Sequence, residues 1–225
     1  METHLHQELA SIKQSIITMA SIAEEMIDLS IRMLEERNEE LRKVVSAKET
    51  RINSMQLEVD ETAISLIARM QPMASDLRFL VMVPKITSEL ERIGDHAINI
   101  CQNASYLIQL PKLKSAANVS LMEEAVRKML KASIDSFVNN DAALAQMVLQ
   151  DDARIDAAKE QIMREMMTYV ISDPPSIQRA ISFILIAKNL ERIGDLATNI
   201  AEEVIYFVEG SDIRHHHEVS ERERE

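Results

Sequence analysis

Hydrophobic residues recur three or four positions apart along almost the whole chain, which is the spacing of amphipathic α-helices. Polar stretches and prolines divide this pattern into separate segments. The pattern predicts helices over residues 4–36, 39–69, 75–109 and 142–171, with two more beginning near residues 120 and 174. The sequence therefore predicts an all-α protein.

The predicted helix starts have residue types that commonly cap helices. Ser75 follows the break at Gln71-Pro72 and is predicted to cap the third helix. Ser120 with Glu123 has the spacing of a capping box. Asp141 closes an Asn-Asn-Asp turn, and Asp173 precedes two prolines that suit a first helical turn.

Helices of about thirty residues are about 45 Å long and cannot bury an apolar stripe alone. Short links between such rods favour antiparallel bundles. Pro84 lies inside the third predicted helix and is expected to kink it. The fold class expected from the pattern is therefore all-α, with six long antiparallel helices in two tandem, pseudo-symmetric three-helix bundles.

An internal repeat supports the division into two bundles. Residues 90–100 read LERIGDHAINI and residues 190–200 read LERIGDLATNI, with nine of eleven positions identical. Such self-similarity indicates two homologous halves. We place them at residues 1–112 and 118–212, followed by a charged tail, residues 213–225, that contains three adjacent histidines and is expected to be disordered.

Composition agrees with this fold and excludes some functions. Only three residues are glycine and five are proline, and fourteen methionines suit an aliphatic core. The net charge of −12 argues against nucleic-acid binding, which needs a surplus of Lys and Arg. The single cysteine, Cys101, excludes an internal disulfide and is interpreted as a core residue.

The most apolar stretches, residues 79–83 and 181–187, are too short to cross a bilayer. The first twenty residues contain charges and lack the continuous apolar core of a secretory signal. We therefore expect a cytoplasmic protein without direct membrane insertion, which can still reach a membrane complex through protein contacts.

The repeated motif has two faces at helical spacing. Its core face consists of Leu90, Ile93, Ala97 and Ile100 in the first copy. A second stripe, with residues four apart, consists of Glu91, Asp95 and Asn99, and the other copy repeats it with Glu191, Asp195 and Asn199. His96 lies in the first copy only, since Leu196 replaces it, so a required ligand role is not expected for it.

Two of the three glycines, Gly94 and Gly194, occupy the middle of these helices. A glycine inside a helix costs about 1 kcal/mol relative to alanine. Close approach of a neighbouring helix or of a ligand accounts for both, and the sequence leaves these two explanations open.

A second set of polar residues lies about forty positions upstream of each motif. Asp152 and Asp156 are four residues apart, and the corresponding first-half residues are Glu49 and Asn53. If each upstream helix lies beside its motif helix, four oxygen-rich side chains converge in each half and repel one another unless a cation neutralises them. Carboxylates select hard cations such as Mg²⁺, Mn²⁺, Ca²⁺ or oxidised iron. Solvated acidic surface explains the same residues equally well.

The sequence resembles the PhoU family. The segments that carry this resemblance are QPMASDLR (71–78), ELERIGDHAINI (89–100), MTYVISDP (167–174) and NLERIGDLATNI (189–200). The resemblance covers nearly the whole chain and implies two three-helix bundles that carry surface metal clusters of iron or another hard cation. The implied ligands are the pairs Glu91/Asp95, Glu191/Asp195 and Asp152/Asp156, with Asn99 and Asn199 as auxiliary ligands. Glu49/Asn53 departs from the motif, because an amide replaces the closing carboxylate and is the weaker ligand.

The resemblance also implies a role. PhoU-like proteins restrain high-affinity phosphate uptake and phosphate-starvation signalling by contacting the ATPase subunit of the phosphate ABC transporter and a membrane sensor histidine kinase, and a homodimer is expected. Two alternatives stay open. A di-iron carboxylate enzyme usually needs inward-facing Glu-x-x-His motifs, which the predicted helices lack, so no enzymatic activity is expected. A plain helical scaffold would leave the acidic stripes as solvated surface.

Overall fold

The structure is a computed structural model that describes residues 2–113 and 119–210. Within these ranges the chain is helical, as the pattern predicts. The helices are α1 Glu2–Glu36, α2 Leu41–Met70, α3 Ala74–Ile108, α4 Val119–Asn139, α5 Ala142–Ser172 and α6 Ile177–Glu209, with a 3₁₀ turn over Pro174–Ser176. Two stretches lie outside the described residues: residues 114–118, which include most of the sequence between the two predicted halves, and the predicted charged tail, residues 213–225, with its three histidines.

Helix starts agree with the sequence only in part. Asp141 caps α5, since its carboxylate accepts a hydrogen bond from the backbone N–H of Leu144 at 2.9 Å. The cap predicted at Ser75 is wrong, because α3 begins at Ala74 and its N-cap residue is Met73. The N-cap therefore lies two residues before the predicted one, which leaves Ser75 inside the first turn.

The other two predicted starts also differ. The Ser120–Glu123 capping box is wrong, because Ser120 lies inside α4 and its hydroxyl donates to Glu35 of α1. Glu123 instead pairs with Arg127, 2.6 Å away. Asp173 makes no side-chain cap bond, and the prolines that follow it open the 3₁₀ turn before α6 begins. Tertiary partners and proline geometry override local capping at these ends.

The two sets of three helices share one hydrophobic core. In the first half α1, α2 and α3 pack on one another, and in the second half α4, α5 and α6 do the same. The halves meet where α3 contacts α6 and α1 contacts α4. Phe79 of α3 lies at this junction, with its ring centroid 5.9 Å from that of Phe137 in α4 and 6.2 Å from that of Phe207 in α6.

Helices α3 and α6 run antiparallel through the centre of the molecule. Lys85 Nζ lies 2.9 Å from Glu203 Oε2, and His96 Nδ1 lies 2.9 Å from Asn189 Oδ1. Residue numbers therefore rise along α3 as they fall along α6. This pairing places the two copies of the repeated motif side by side.

The predicted core face of the motif is confirmed. Leu90, Ile93, Ala97 and Ile100 are fully buried, as are the matching Leu190, Ile193, Ala197 and Ile200. Cys101 is also buried, and burial raises the pKa of its thiol to about 12, which confirms it as a core residue. Pro84 lies inside α3, which continues on both sides of it.

Across the described helices we find no stretch long and apolar enough to span a membrane.

Candidate metal-binding clusters

Helices α2 and α3 bring the first-half polar residues together. We call Glu49, Asn53, Glu91 and Asp95 the first acidic cluster. The Asn53 amide donates to Glu49 Oε1 at 2.7 Å along α2. The pKa of Glu91 on α3 is raised by burial and then by the negative charges of Asp95 and Glu49. Glu49 on one helix thus lies within electrostatic range of Glu91 on the other.

Helices α5 and α6 make the corresponding arrangement in the second half. We call Asp152, Asp156, Glu191 and Asp195 the second acidic cluster. Burial raises the pKa of Asp152, and the charges of Asp195, Asp156 and Glu191 raise it further. Burial and then Glu191 raise the pKa of Asp195. These influences place the four carboxylates within electrostatic range of one another across the two helices.

Lys159 contacts two carboxylates of the second acidic cluster, and the sequence analysis did not predict these contacts. Its ammonium donates to Asp156 Oδ1 at 2.9 Å and to Glu191 Oε1 at 3.2 Å, joining α5 to α6. The hydrogen bond to Asp156 is the main cause that raises the pKa of Lys159. Its place three residues after Asp156 on α5 is the only sequence signal for the contact.

The motif arginines form short-range ion pairs on the surface. Arg92 forms an ion pair with Glu89, one turn earlier on α3, at 3.1 Å, rather than with the adjacent Glu91. Arg192 lies 3.2 Å from Asp195 and 3.7 Å from Glu191. Both arginine side chains are 54% exposed, so solvent screens these pairs and each contributes little to stability.

Asn99 and Asn199, the predicted auxiliary ligands, form hydrogen bonds to residues outside the two acidic clusters. The Asn199 amide donates to Glu89 Oε1 at 3.4 Å across the α3–α6 interface, not to the second acidic cluster. The backbone carbonyl of Asn99 accepts a hydrogen bond from the Asn103 amide at 2.9 Å. His96 is half-buried against Asn189 of α6, so it is an interface residue and not a free surface one.

Both clusters contain a buried oxygen atom without a hydrogen bond. Asn53 Oδ1 in the first cluster and Glu191 Oε2 in the second have no hydrogen-bond partner among the described residues. A buried acceptor left without a donor costs about 1–3 kcal/mol, which a bound cation would offset. Within the described part of the chain, Asn53 Oδ1 has no hydrogen bond, Glu191 Oε2 has only the long 3.7 Å ion pair with Arg192 Nε, and the candidate ligand atoms are all oxygens, so both clusters fit a hard cation.

The acidic side chains are nevertheless engaged with other groups in this structure. In the described ranges, no set of three or more His, Cys, Asp or Glu side chains is gathered tightly enough to hold a metal ion. The Asn53–Glu49 bond in the first cluster and the Lys159 contacts in the second use oxygens that a cation would need. Metal binding at either cluster therefore requires these internal contacts to exchange.

The two motif glycines lie against side chains of neighbouring helices. A Cβ atom on Gly94 would lie 3.4 Å from Met26 Cε and 3.7 Å from Ile52 Cδ1. A Cβ atom on Gly194 would lie 3.5 Å from Ile155 Cγ2 and 3.8 Å from Asp152 Oδ1. These are ordinary van der Waals distances. Neighbouring helices therefore pack close to both glycines but leave room for the methyl group of an alanine at either position.

Comparison with known proteins places this architecture in a family. The model of the PhoU domain matches residues 16–104 and again residues 119–204. The phosphate-specific transport system accessory protein PhoU homologue of Aquifex aeolicus is 38% identical over 213 residues, which cover 95% of this chain and 96% of that protein. The phosphate-specific transport system accessory protein PhoU of Escherichia coli (strain K12) is 32% identical over 208 residues, covering 92% and 86% respectively.

Solved structures agree with the sequence comparison. The crystal structure of PhoU from Pseudomonas aeruginosa superposes with a TM-score of 0.87 at 34% identity, covering 92% of this chain and 99% of that one. The phosphate transport system regulatory protein PhoU from Streptococcus pneumoniae gives a TM-score of 0.84 at 26% identity, covering 92% and 98%. Two matches to one domain model, long alignments and a shared six-helix fold all agree: the chain belongs to the PhoU family.

Proposed function

We propose that this chain is a metal-binding regulatory adaptor that restrains high-affinity phosphate uptake and phosphate-starvation signalling. Its partners in this proposal are the ATPase subunit of the phosphate ABC transporter and a membrane sensor histidine kinase. The names of its relatives, phosphate-specific transport system accessory proteins, support the link to phosphate transport. We place the protein in the cytoplasm as a homodimer.

The observation that carries the metal-binding part is the duplication of the acidic clusters. Each half sets oxygen-rich side chains of two packed helices against one another, and each cluster contains one buried oxygen without a hydrogen bond among the described residues. Burial, and then repulsion from the neighbouring carboxylates, raises the pKa of Glu91 in one half and of Asp152 in the other. A hard cation relieves both the repulsion and the unsatisfied acceptor.

Glu49, Asn53, Glu91 and Asp95 would hold the ion of the first half, and Asp152, Asp156, Glu191 and Asp195 that of the second. A bound cation supplies positive charge on an otherwise acidic surface of a chain with net charge −12. The chain's own residues fix the relative positions of α2 and α3, and of α5 and α6, around that charge. A partner would then recognise a neutralised, rigid surface in each half.

The position of the clusters favours an adaptor over a carboxylate enzyme. Di-iron carboxylate enzymes direct their ligands into the bundle interior. Here the interior positions of the motif are Leu90, Ile93 and their neighbours, while Glu91 is half-buried and Asp95 is exposed. Ions bound on this outer face are accessible to a protein partner.

A pull-down tests the adaptor role. The full chain serves as bait in phosphate-replete cells of its source, and the readout is recovery of the transporter ATPase subunit and the sensor kinase. We expect the wild-type chain to recover both, and a chain with Asp95→Ala and Asp195→Ala to recover markedly less. Asp135→Ala, which removes a half-exposed carboxylate of α4 that pairs with Lys131, is the control and should behave as wild type. Failure of the wild-type chain to recover either partner would contradict the proposal.

A further inference from the structure

We propose that Lys159 is a built-in counter-cation of the second acidic cluster, which competes with metal and so sets the affinity of the second half. The inference rests on the metal binding proposed above and adds a residue to it. Lys159 thereby gives the two halves of a duplicated protein different affinities for metal.

The contacts of Lys159 support this role directly. Its ammonium contacts Asp156 on its own helix at 2.9 Å and Glu191 on α6 at 3.2 Å, both within hydrogen-bonding distance. The side chain is 26% exposed and Glu191 is 16% exposed, so solvent screens this ion pair less than one on an open surface. The same two carboxylates belong to the set that would hold a cation. Metal and ammonium therefore need the same oxygens.

The internal repeat shows what the first half has in place of Lys159. Asp152 and Asp156 correspond to Glu49 and Asn53, so the residue three positions further, Lys159, corresponds to Gln56. The first half thus combines a neutral Asn53 with a neutral Gln56. The second half combines a negative Asp156 with a positive Lys159.

The two differences cancel in charge. The first acidic cluster has three carboxylates, those of Glu49, Glu91 and Asp95, for a charge of −3. The second has four carboxylates and the Lys159 ammonium, −4 + 1, also −3 at these aligned positions, with the exposed Arg192 paired to Asp195 and Glu191 in addition. The extra acid of the second half is therefore matched by a tethered cation, which stabilises the cluster when no metal is bound.

In the second half a metal ion must displace a positively charged side chain, whereas in the first half it displaces only the neutral Asn53 amide from Glu49. A cation entering the second cluster must displace the ammonium from Asp156 and Glu191, and the released lysine then faces solvent. Once displaced, Lys159 leaves four carboxylates, against three and an amide in the first half. The lysine side chain therefore lowers an affinity that the ligand set would otherwise make high.

The test uses Mn²⁺ as the probe and measures binding by calorimetry on the full-length protein. In an Asp95→Ala background, which disables the first cluster, Lys159→Gln should tighten Mn²⁺ binding by about tenfold, since a competing unit charge is removed from a partly buried site. Lys128→Gln removes an exposed lysine of α4 that pairs with Glu124, and should leave the affinity unchanged. Without metal, Lys159→Gln should lower the thermal midpoint, and Mn²⁺ should raise it by more than it does in the parent.

A reciprocal variant tests the same idea without touching Lys159. In an Asp195→Ala background, which disables the second cluster, Gln56→Lys should weaken Mn²⁺ binding to the first cluster by about tenfold. If the Lys159→Gln variant does not fold, the Gln56→Lys variant still tests whether a lysine at this position competes with metal.

The possible failures are distinguishable. Mn²⁺ binding by the wild-type chain together with unchanged affinities in Lys159→Gln and Gln56→Lys would overturn the role of Lys159 and leave the proposed metal binding intact. No Mn²⁺ binding by the wild-type chain or any variant would overturn both.

Discussion

At the scale of one residue, Asp152 illustrates how an acidic cluster lowers the free energy of unfolding of the metal-free protein. Burial and three neighbouring carboxylates raise the pKa of its side chain above the ordinary value. Between the unfolded-state pKa and this raised pKa, the folded protein binds more protons than the unfolded chain. The free energy of unfolding therefore falls as the pH rises through the raised pKa, and the ionised carboxylate destabilises the fold above it.

Replacing Asp152 with asparagine should therefore stabilise the metal-free protein at pH 7. We expect the thermal midpoint to rise by roughly 1–3 °C at that pH, with the gain shrinking as the pH falls toward 4 and the wild-type carboxyl protonates. Circular dichroism melts across this pH range, in the presence of a chelator, provide the measurement.

Asp151→Asn is the matched control, because Asp151 is 45% exposed and pairs with Arg154 on the surface of the same helix. It should change the midpoint little at any pH. A lower midpoint for Asp152→Asn at pH 7, or a gain that grows as the pH falls, would contradict the repulsion described here.

Sequence spacing predicted the acidic residues but not all of their partners. Glu91 and Asp95, four residues apart, share a helical face whatever the tertiary fold, so periodicity alone groups them. The contact of Lys159 with Glu191 depends on the rotation of α5 relative to α6, which periodicity does not fix. For the same reason, periodicity did not predict the hydrogen bond that the Asn199 amide donates to Glu89 across the α3–α6 interface, and the auxiliary-ligand role of Asn199 stays a prediction.

Gly94 shows at the scale of a helix how packing and backbone propensity oppose each other. An added Cβ would meet the flexible end of Met26 at 3.4 Å, which is ordinary contact, whereas a branched side chain would press on both Met26 and Ile52. Alanine also relieves the cost of glycine inside a helix, about 1 kcal/mol.

We therefore expect Gly94→Ala to be neutral or stabilising by up to about 1 kcal/mol, and Gly94→Val to be destabilising by about 1–3 kcal/mol. Urea unfolding at pH 7 measures both. Gln102→Val, at an exposed position of α3, is the control for the cost of a β-branched residue in this helix. Equal, small effects of valine at residues 94 and 102 would show that packing around Gly94 is loose.

The ends of the helices were predicted less well than their existence. Asp141 caps α5 as predicted, because its cap needs only a backbone N–H three residues away. Ser120 does not cap, because Glu35 on α1 offers a carboxylate acceptor that a local pattern cannot reveal. A long apolar periodicity predicts a helix reliably, because many residues contribute to it. A cap depends on one side chain, which a tertiary partner can take instead.

At the scale of the whole molecule, the repeat predicted two similar halves but not how they join. Phe79 contacts Phe137 and Phe207 where the halves meet, and Lys85 pairs with Glu203 across the same interface. An internal repeat fixes the likeness of the halves, while their relative orientation depends on side chains that differ between them. Lys85, for example, corresponds to Leu185.

We propose that two acidic clusters, one in each half, bind hard cations. The most direct test of this proposal is equilibrium dialysis against Mn²⁺ with metal analysis of the wild-type chain and of a variant with Asp95→Ala and Asp195→Ala. Asp135→Ala is the control for loss of exposed acidic residues. We predict Mn²⁺ retention by the wild-type and control chains, its loss from the double variant, and far-ultraviolet circular dichroism that is unchanged in all three. Equal Mn²⁺ content in the double variant and the wild-type chain would contradict the claim.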